Sequence, residues 1–181
     1  MPMPETSPHI YLRPLEPEDL ALLYTIENDM EIWDASNTDG PYSRYALKQY
    51  IASARSVRES GELRMVIDLT PPTSEKANYH PIGLIDLTNY IALDARAEVS
   101  IALLKEYRNK GFGLQALQKI EEYATRWLRI HLLYAHIAVT NTYSLRMFEK
   151  AAYKKVATLP QWHYANGQYE SICVVSKTFS A

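Results

Sequence analysis

Leu103-Leu104-Lys105-Glu106-Tyr107-Arg108-Asn109-Lys110-Gly111-Phe112-Gly113-Leu114 is the segment from which the rest of the chain can be read. An apolar strand runs into a loop with two glycines. The loop opens directly onto a periodic stripe of Leu114, Leu117, Ile120, Tyr123/Ala124 and Trp127/Leu128, which predicts a half-buried helix over 111–129. Glycines let the backbone approach an anion closely, and the free N–H groups of the helix start point at it with the helix dipole behind them. Arg108 and Lys110 add positive charge at the same place. The plain alternative is a tight strand-to-helix turn with incidental basic residues. The loop is not a Walker A, since no Gly-Lys-Ser/Thr follows, nor a dinucleotide fingerprint, since position 116 is Ala where a third Gly would stand.

Upstream, His9–Arg13 predicts a short strand stopped by Pro14, and Glu16-Pro17-Glu18-Asp19 opens a helix through about Ile26. Asn28–Pro41, with Trp33 looking exposed, reads as a loop, and Tyr42–Arg58 as a second helix ended by Ser60-Gly61. Leu63–Leu69 and Pro81–Tyr90 read as strands around a Thr70–His80 hairpin loop. Ala97–Leu104 alternates Val99, Ile101 and Leu103 against Glu98, Ser100 and Ala102, a strand with two different faces. Downstream come a strand over Leu132–Val139, a helix over Asn141–Ala151, and strands over Tyr153–Leu159 and Gln168–Lys177 joined at Asn166-Gly167. The order is strand, two helices, three strands, helix, strand, helix, two strands. That is a mixed α/β (α+β) chain rather than a repeated βαβ winding. With no linker in it, the expectation is a flexible N-terminus over 1–8 and a single domain over 9–181.

Composition narrows the function classes. The 181 residues carry 19 Lys+Arg against 21 Asp+Glu, a net charge of −2 that lacks the cationic excess of a nucleic-acid or polybasic membrane binder. Apolar runs such as Ile101–Leu104 are far below the ~20 residues of a membrane span, and Met1–Pro8 has neither part of a signal peptide. The five His show no metal-ligand spacing, so no metal is expected, and the lone Cys173 fits a reducing cytoplasm. Aromatic content is skewed to hydroxyls, with 14 Tyr and 3 Phe.

Arg108-x-x-Gly111-x-Gly113 resembles the pyrophosphate loop of the GNAT acyl-CoA N-acyltransferases, and the element order from His9 to Phe179 matches that fold as well. Asn141-Thr142-Tyr143-Ser144-Leu145-Arg146-Met147-Phe148-Glu149-Lys150-Ala151-Ala152-Tyr153 resembles a stretch of the subgroup containing ribosomal-protein Nα-acetyltransferases and polyamine acetyltransferases, with Ala152 in place of the usual Gly. Asn166-Gly167-Gln168-Tyr169-Glu170 approximates that subgroup's hairpin. The resemblance implies a mostly antiparallel sheet of about seven strands flanked by about four helices. It also implies acetyl-CoA as co-substrate and direct attack by a primary amine in a ternary complex.

Carried over residue by residue, the resemblance implies that Ile101 and Leu103 offer backbone groups to the pantetheine and acetyl oxygen. Pyrophosphate would lie on the N–H groups of Arg108, Asn109, Lys110, Gly111, Phe112, Gly113 and Leu114, with Asn141, Phe148 and Lys150 adding cofactor contacts. Many members use a Tyr where this chain has Phe148, which shifts the general acid to Ser144, with Tyr143 adjacent; the plain alternative is an Asn141 N-cap with Ser144 satisfying a backbone donor. Glu98 is the candidate base or amine-binding group, against a strand-end Glu paired with Arg96. Glu31, Trp33 and Asp34 are candidates for the acceptor slot, against a surface loop. The resemblance implies as acceptor a polyamine or diamine, or a protein N-terminal amine. The alternatives are an amino-sugar or aminoglycoside acyltransferase, and a CoA-binding sensor without turnover. A homodimer is the default assembly.

Overall fold

The computed structural model describes residues 8–33, 40–71 and 73–180. Strand β1 (Tyr11–Pro14) ends at a proline that cannot donate to a ladder, and the chain turns through a 3-10 segment over Pro17–Asp19 into α1 (Leu20–Glu27). That turn is a capping box in which Asp19 Oδ2 accepts from the Glu16 N–H at 2.9 Å. Then follow α2 (Met30–Trp33), α3 (Arg44–Ala52), α4 (Val57–Ser60), β2 (Leu63–Asp68), β3 (Pro81–Ile91) and β4 (Arg96–Leu103). The second half is α5 (Phe112–Leu128), β5 (Leu132–Ala138), α6 (Thr142–Lys150), β6 (Lys154–Ala165) and β7 (Gln168–Thr178).

All seven strands join one sheet in the order β1-β2-β3-β4-β5-β7-β6. Every neighbouring pair is antiparallel except β4 and β5. The expected mixed, mostly antiparallel sheet of seven strands is what forms, and four of its helices reach eight residues or more. On one face Ala97, Val99, Leu133, Ala135 and Ile137 pack under α5 and α6 through Ala116, Leu117, Ile120 and Phe148. On the other, Val66 and Leu84 pack under α1 and α3 through Leu22, Leu23, Ile26 and Leu47. Truncating a fully buried member such as Leu117 to Ala would cost about 2–5 kcal/mol.

Three expectations are corrected. The helix expected over Tyr42–Arg58 is two helices, α3 and α4, because the 3.6-residue stripe fails after Ile51 and Ser53 closes the first with its N–H on the Gln49 carbonyl. The loop expected from Asn28 contains α2, whose Trp33 is half-buried and donates its indole N–H to the Glu27 carbonyl at 2.6 Å. Strand β6 runs on to Ala165 instead of stopping at Leu159, since as an edge strand it tolerates Pro160. Asp34 and residues 1–7 lie outside the described residues. Pro8 is exposed.

Candidate active site

The parallel ladder between β4 and β5 holds only at Arg96↔Leu132, Ala97↔Leu133 and Glu98↔Tyr134. On its other side β4 stays paired with β3 as far as Leu103, and β5 stays paired with β7 as far as Ala138. The two strands therefore part after Glu98, leaving a fork. The Ala95 carbonyl accepts from the Leu132 N–H, so alternate residues from Ala95 aim their backbone groups at β5. By that alternation Ile101 and Leu103 face the fork, where no β5 residue pairs with them. Their side chains meanwhile pack against the α5-side core, which leaves the backbone groups on the fork side apart from that packing. The Leu103 carbonyl is not open, however: Arg108 Nε donates to it at 2.9 Å.

At the end of β4 the chain turns into α5. Asn109 (φ 61) and Gly111 (φ 83) adopt left-handed backbone, which lifts the loop over the helix start. Gly111 is the N-cap and provides no side-chain cap, so the first-turn N–H groups of Phe112, Gly113 and Leu114 have no capping side chain. A Cβ at Gly111 would meet nothing within 4 Å, so the backbone is open on that side of the helix start. This donor set fits a pyrophosphate. Phe112 itself is buried, Asn109 and Lys110 are exposed, and Lys110 Nζ stands 5.8 Å from the Tyr107 ring.

Arg108 departs from the expectation that it faces the phosphate. Its guanidinium donates to Glu31 Oε2 at 2.9 Å and Asp29 Oδ2 at 3.2 Å. Glu31 also takes Lys105 Nζ at 2.7 Å, and the hydrogen bonds from Lys105 and then Arg108 hold its carboxyl below the usual range. Glu31 thus ties α2 to the glycine loop rather than standing open in an acceptor slot, and Asp29, which the sequence did not single out, shares the link.

On the α1-side face of the fork, Glu98 is half-buried at the last rung. Its Oε1 is 2.7 Å from His136 Nδ1 and its Oε2 accepts from Asn89 Nδ2 at 3.0 Å. Arg96, the partner expected for a strand-end Glu, pairs with Asp94 instead. Asp86, on the same face, is neutralised by a bidentate Arg64 at 2.8 and 2.7 Å. Among the described residues no Lys or Arg makes an ion pair with Glu98. His136 stacks edge-on to Tyr134 at 5.6 Å, and the Tyr134 hydroxyl is pushed up by burial and then by the Glu98 charge. His136 and Asn89 escaped the sequence reading; the alternation of β5 placed Tyr134 and His136 opposite the core, which was the available signal.

Asn141 caps α6 by accepting from the Ser144 N–H at 3.1 Å, so the capping expectation is met and leaves the Ser144 hydroxyl without a hydrogen bond among the described residues. The second half of α6 packs on the start of α5: a Cβ at Gly113 would come within 2.7 Å of Met147 Sδ. Phe148 is buried edge-on against Tyr153 at 4.9 Å, so its ring is core packing rather than a cofactor surface. Lys150 and Tyr143 are exposed.

Comparison with known proteins places this geometry. Residues 9–154 match the model of the acetyltransferase (GNAT) domain. The chain is 24% identical over 164 residues to spermidine N(1)-acetyltransferase of Vibrio cholerae, covering 89% of this chain and 88% of that protein. It is 25% identical over 178 residues to the Escherichia coli K12 protein of the same name, covering 95% and 89%. In fold it matches the crystal structure of spermidine N-acetyltransferase from Vibrio cholerae in complex with CoA and spermine, with a TM-score of 0.82, 23% identity, and 94% and 95% of the two chains covered. The forked sheet and its glycine loop thus belong to a chain of the GNAT acetyltransferase family, by class an acetyl-CoA-dependent N-acetyltransferase.

Proposed function

We propose that the chain acetylates a primary amine of a polyamine such as spermidine. The observation that carries this reading is Glu98, a carboxylate at the fork of β4 and β5 that is met by His136 and Asn89 but by no Lys or Arg among the described residues. A polycationic acceptor needs such an uncompensated anion beside the acyl group. The names of its relatives support the same acceptor.

Bound acetyl-CoA supplies the acetyl thioester. The first-turn N–H groups of α5 bind its pyrophosphate, and Ile101 and Leu103 lend backbone donors to the strand-like pantetheine and the acetyl oxygen. Glu98 holds the ammonium end of the acceptor. Ser144, on the first turn of α6, gives the departing sulfur its proton, the task that Phe148 cannot perform.

Thiol release from acetyl-CoA over a panel of polyamines, N-terminal peptides and amino sugars tests the reading. Polyamines turning over with the highest kcat/KM support it. Release with peptides or amino sugars alone, or with none of the amines, overturns it.

A further inference from the structure

His136 occupies the first part of β5 that β4 no longer covers, two residues beyond the last rung at Glu98↔Tyr134. Its side chain reaches back across the fork to Glu98, Nδ1 to Oε1 at 2.7 Å, while Asn89 holds the other carboxylate oxygen. The partner of one ring nitrogen decides the tautomer of the other. A carboxylate on Nδ1 demands Nδ1–H, so in the neutral ring the lone pair lies on Nε2. The ring is over a third exposed and Glu98 only a fifth, so the imidazole is the member of the pair that an incoming amine meets.

We propose that His136 Nε2, oriented by Glu98, is the group that takes the proton from the acceptor ammonium. This rests on the polyamine reading above and changes the work done within it: Glu98 binds and orients, and the imidazole carries the proton. Both oxygens of Glu98 are already engaged by His136 and Asn89, whereas Nε2 of the more exposed imidazole faces the incoming amine. An imidazole as a class titrates near neutrality, where transfer to and from a base is most effective. The ammonium proton passes to Nε2, and the imidazolium is held by the Glu98 carboxylate beside it. The neutral amine then attacks the thioester carbon, so that the C–N bond forms and the C–S bond breaks. Ser144 gives its proton to the departing sulfur and recovers the second amine proton from the nitrogen, and the imidazolium returns its proton to water. The titratable and charged groups around the ring are Glu98 of β4, Tyr134 of β5 and, beyond Tyr134, Arg96; the facing β7 residue, Val174, carries none.

The test compares wild type, His136→Asn and Glu98→Gln in spermidine acetylation between about pH 6 and 10, a span bracketing imidazole and amine titration. Asn can still donate to Glu98 but cannot take a proton. His136→Asn is expected to lose on the order of 10²-fold in kcat near neutrality, with acetyl-CoA affinity unchanged. The deficit narrows as rising pH supplies free amine. A kcat within about twofold of wild type, or a deficit equal at every pH, overturns the assignment; the second pattern marks a structural role. Nitrogen NMR of the wild-type ring, which needs no variant to fold, must show Nδ1–H and a bare Nε2; the opposite tautomer overturns it. If wild type acetylates no amine at all, the polyamine reading fails first, whereas an active wild type with an indifferent His136→Asn sinks only the histidine.

Discussion

Arg108 Nη1 lies 2.9 Å from Glu31 Oε2, and the same guanidinium reaches Asp29 and the Leu103 carbonyl. One side chain thus joins the α2 region, the glycine loop and the end of β4. Arg108→Ala frees all three, and acetyl-CoA affinity should weaken by roughly tenfold, the scale of one charge-assisted hydrogen bond. Calorimetric titration reads this directly, and an unchanged Kd would show that the loop holds its shape without the arginine.

The pH dependence of that link follows from Glu31. Its carboxyl is held below the usual value of 4.5 by Lys105 and then Arg108. A lowered folded value means the link is fully present above 4.5 and is lost only as pH falls through the lower folded value. The contribution of this link to acetyl-CoA affinity, read as the difference between wild type and Glu31→Gln, should therefore stay level from neutrality down to 4.5, the ordinary Glu value. Glu31→Gln should remove whatever pH sensitivity appears below it.

Gly83 stands on β3 directly behind the fork. A Cβ there would come 2.5 Å from the Ala102 carbonyl oxygen and 3.1 Å from Leu103 Cα, both backbone atoms that cannot swing aside. Gly83→Ala should cost about 1–3 kcal/mol in denaturant unfolding, as overpacking does. Gly111→Ala differs: nothing lies within 4 Å, but φ is 83°, so its cost of about 1–2 kcal/mol comes from backbone strain and should reshape the anion loop.

Arg13 is a buried charge that holds the β1 end of the sheet. It is 2% exposed and bonds Asp19 at 2.7 Å and Asp68 at 2.8 Å, with its guanidinium 4.0 Å above the Tyr79 ring. Arg13→Ala leaves Asp68 fully buried without its cation and should cost about 3–5 kcal/mol, visible as a lower urea midpoint. Kinetics at low temperature should be little changed, because none of these groups touches the fork.

Much of this architecture was legible in the chain. The glycine loop between an apolar strand and a strongly periodic helix marked both the fork's edge and the uncapped start of α5. The alternation of β4 put Glu98 and Ile101 on opposite faces, as found. What stayed hidden depends on pairing between segments distant in sequence. Periodicity along β5 exposes His136 but cannot show that Glu98 is its neighbour across 38 residues. Likewise Glu31 reads as a free acid until Lys105 and Arg108, over 70 residues away, arrive beside it. The tyrosine excess also divides only in three dimensions. Tyr143, Tyr164 and Tyr169 are exposed, Tyr107 bonds His80 at 2.6 Å, and Tyr153 is buried against Phe148.

Ser144 is separable from its helix cap. Ser144→Ala keeps the N–H that Asn141 accepts, so α6 should persist and acetyl-CoA affinity should hold while kcat falls by roughly 10–10²-fold. Asn141→Ala should instead cost about 1 kcal/mol of stability through the lost cap. An unchanged kcat in Ser144→Ala would remove the serine as acid.

The most direct measurement is a competition: one reaction holding the protein, acetyl-CoA and equal amounts of spermidine, an N-terminal peptide and an amino sugar, with products identified by mass. Mono-acetylated spermidine as the dominant product is the predicted result. Acetylated peptide or amino sugar with spermidine untouched, or no acetylated product at all, would contradict the account.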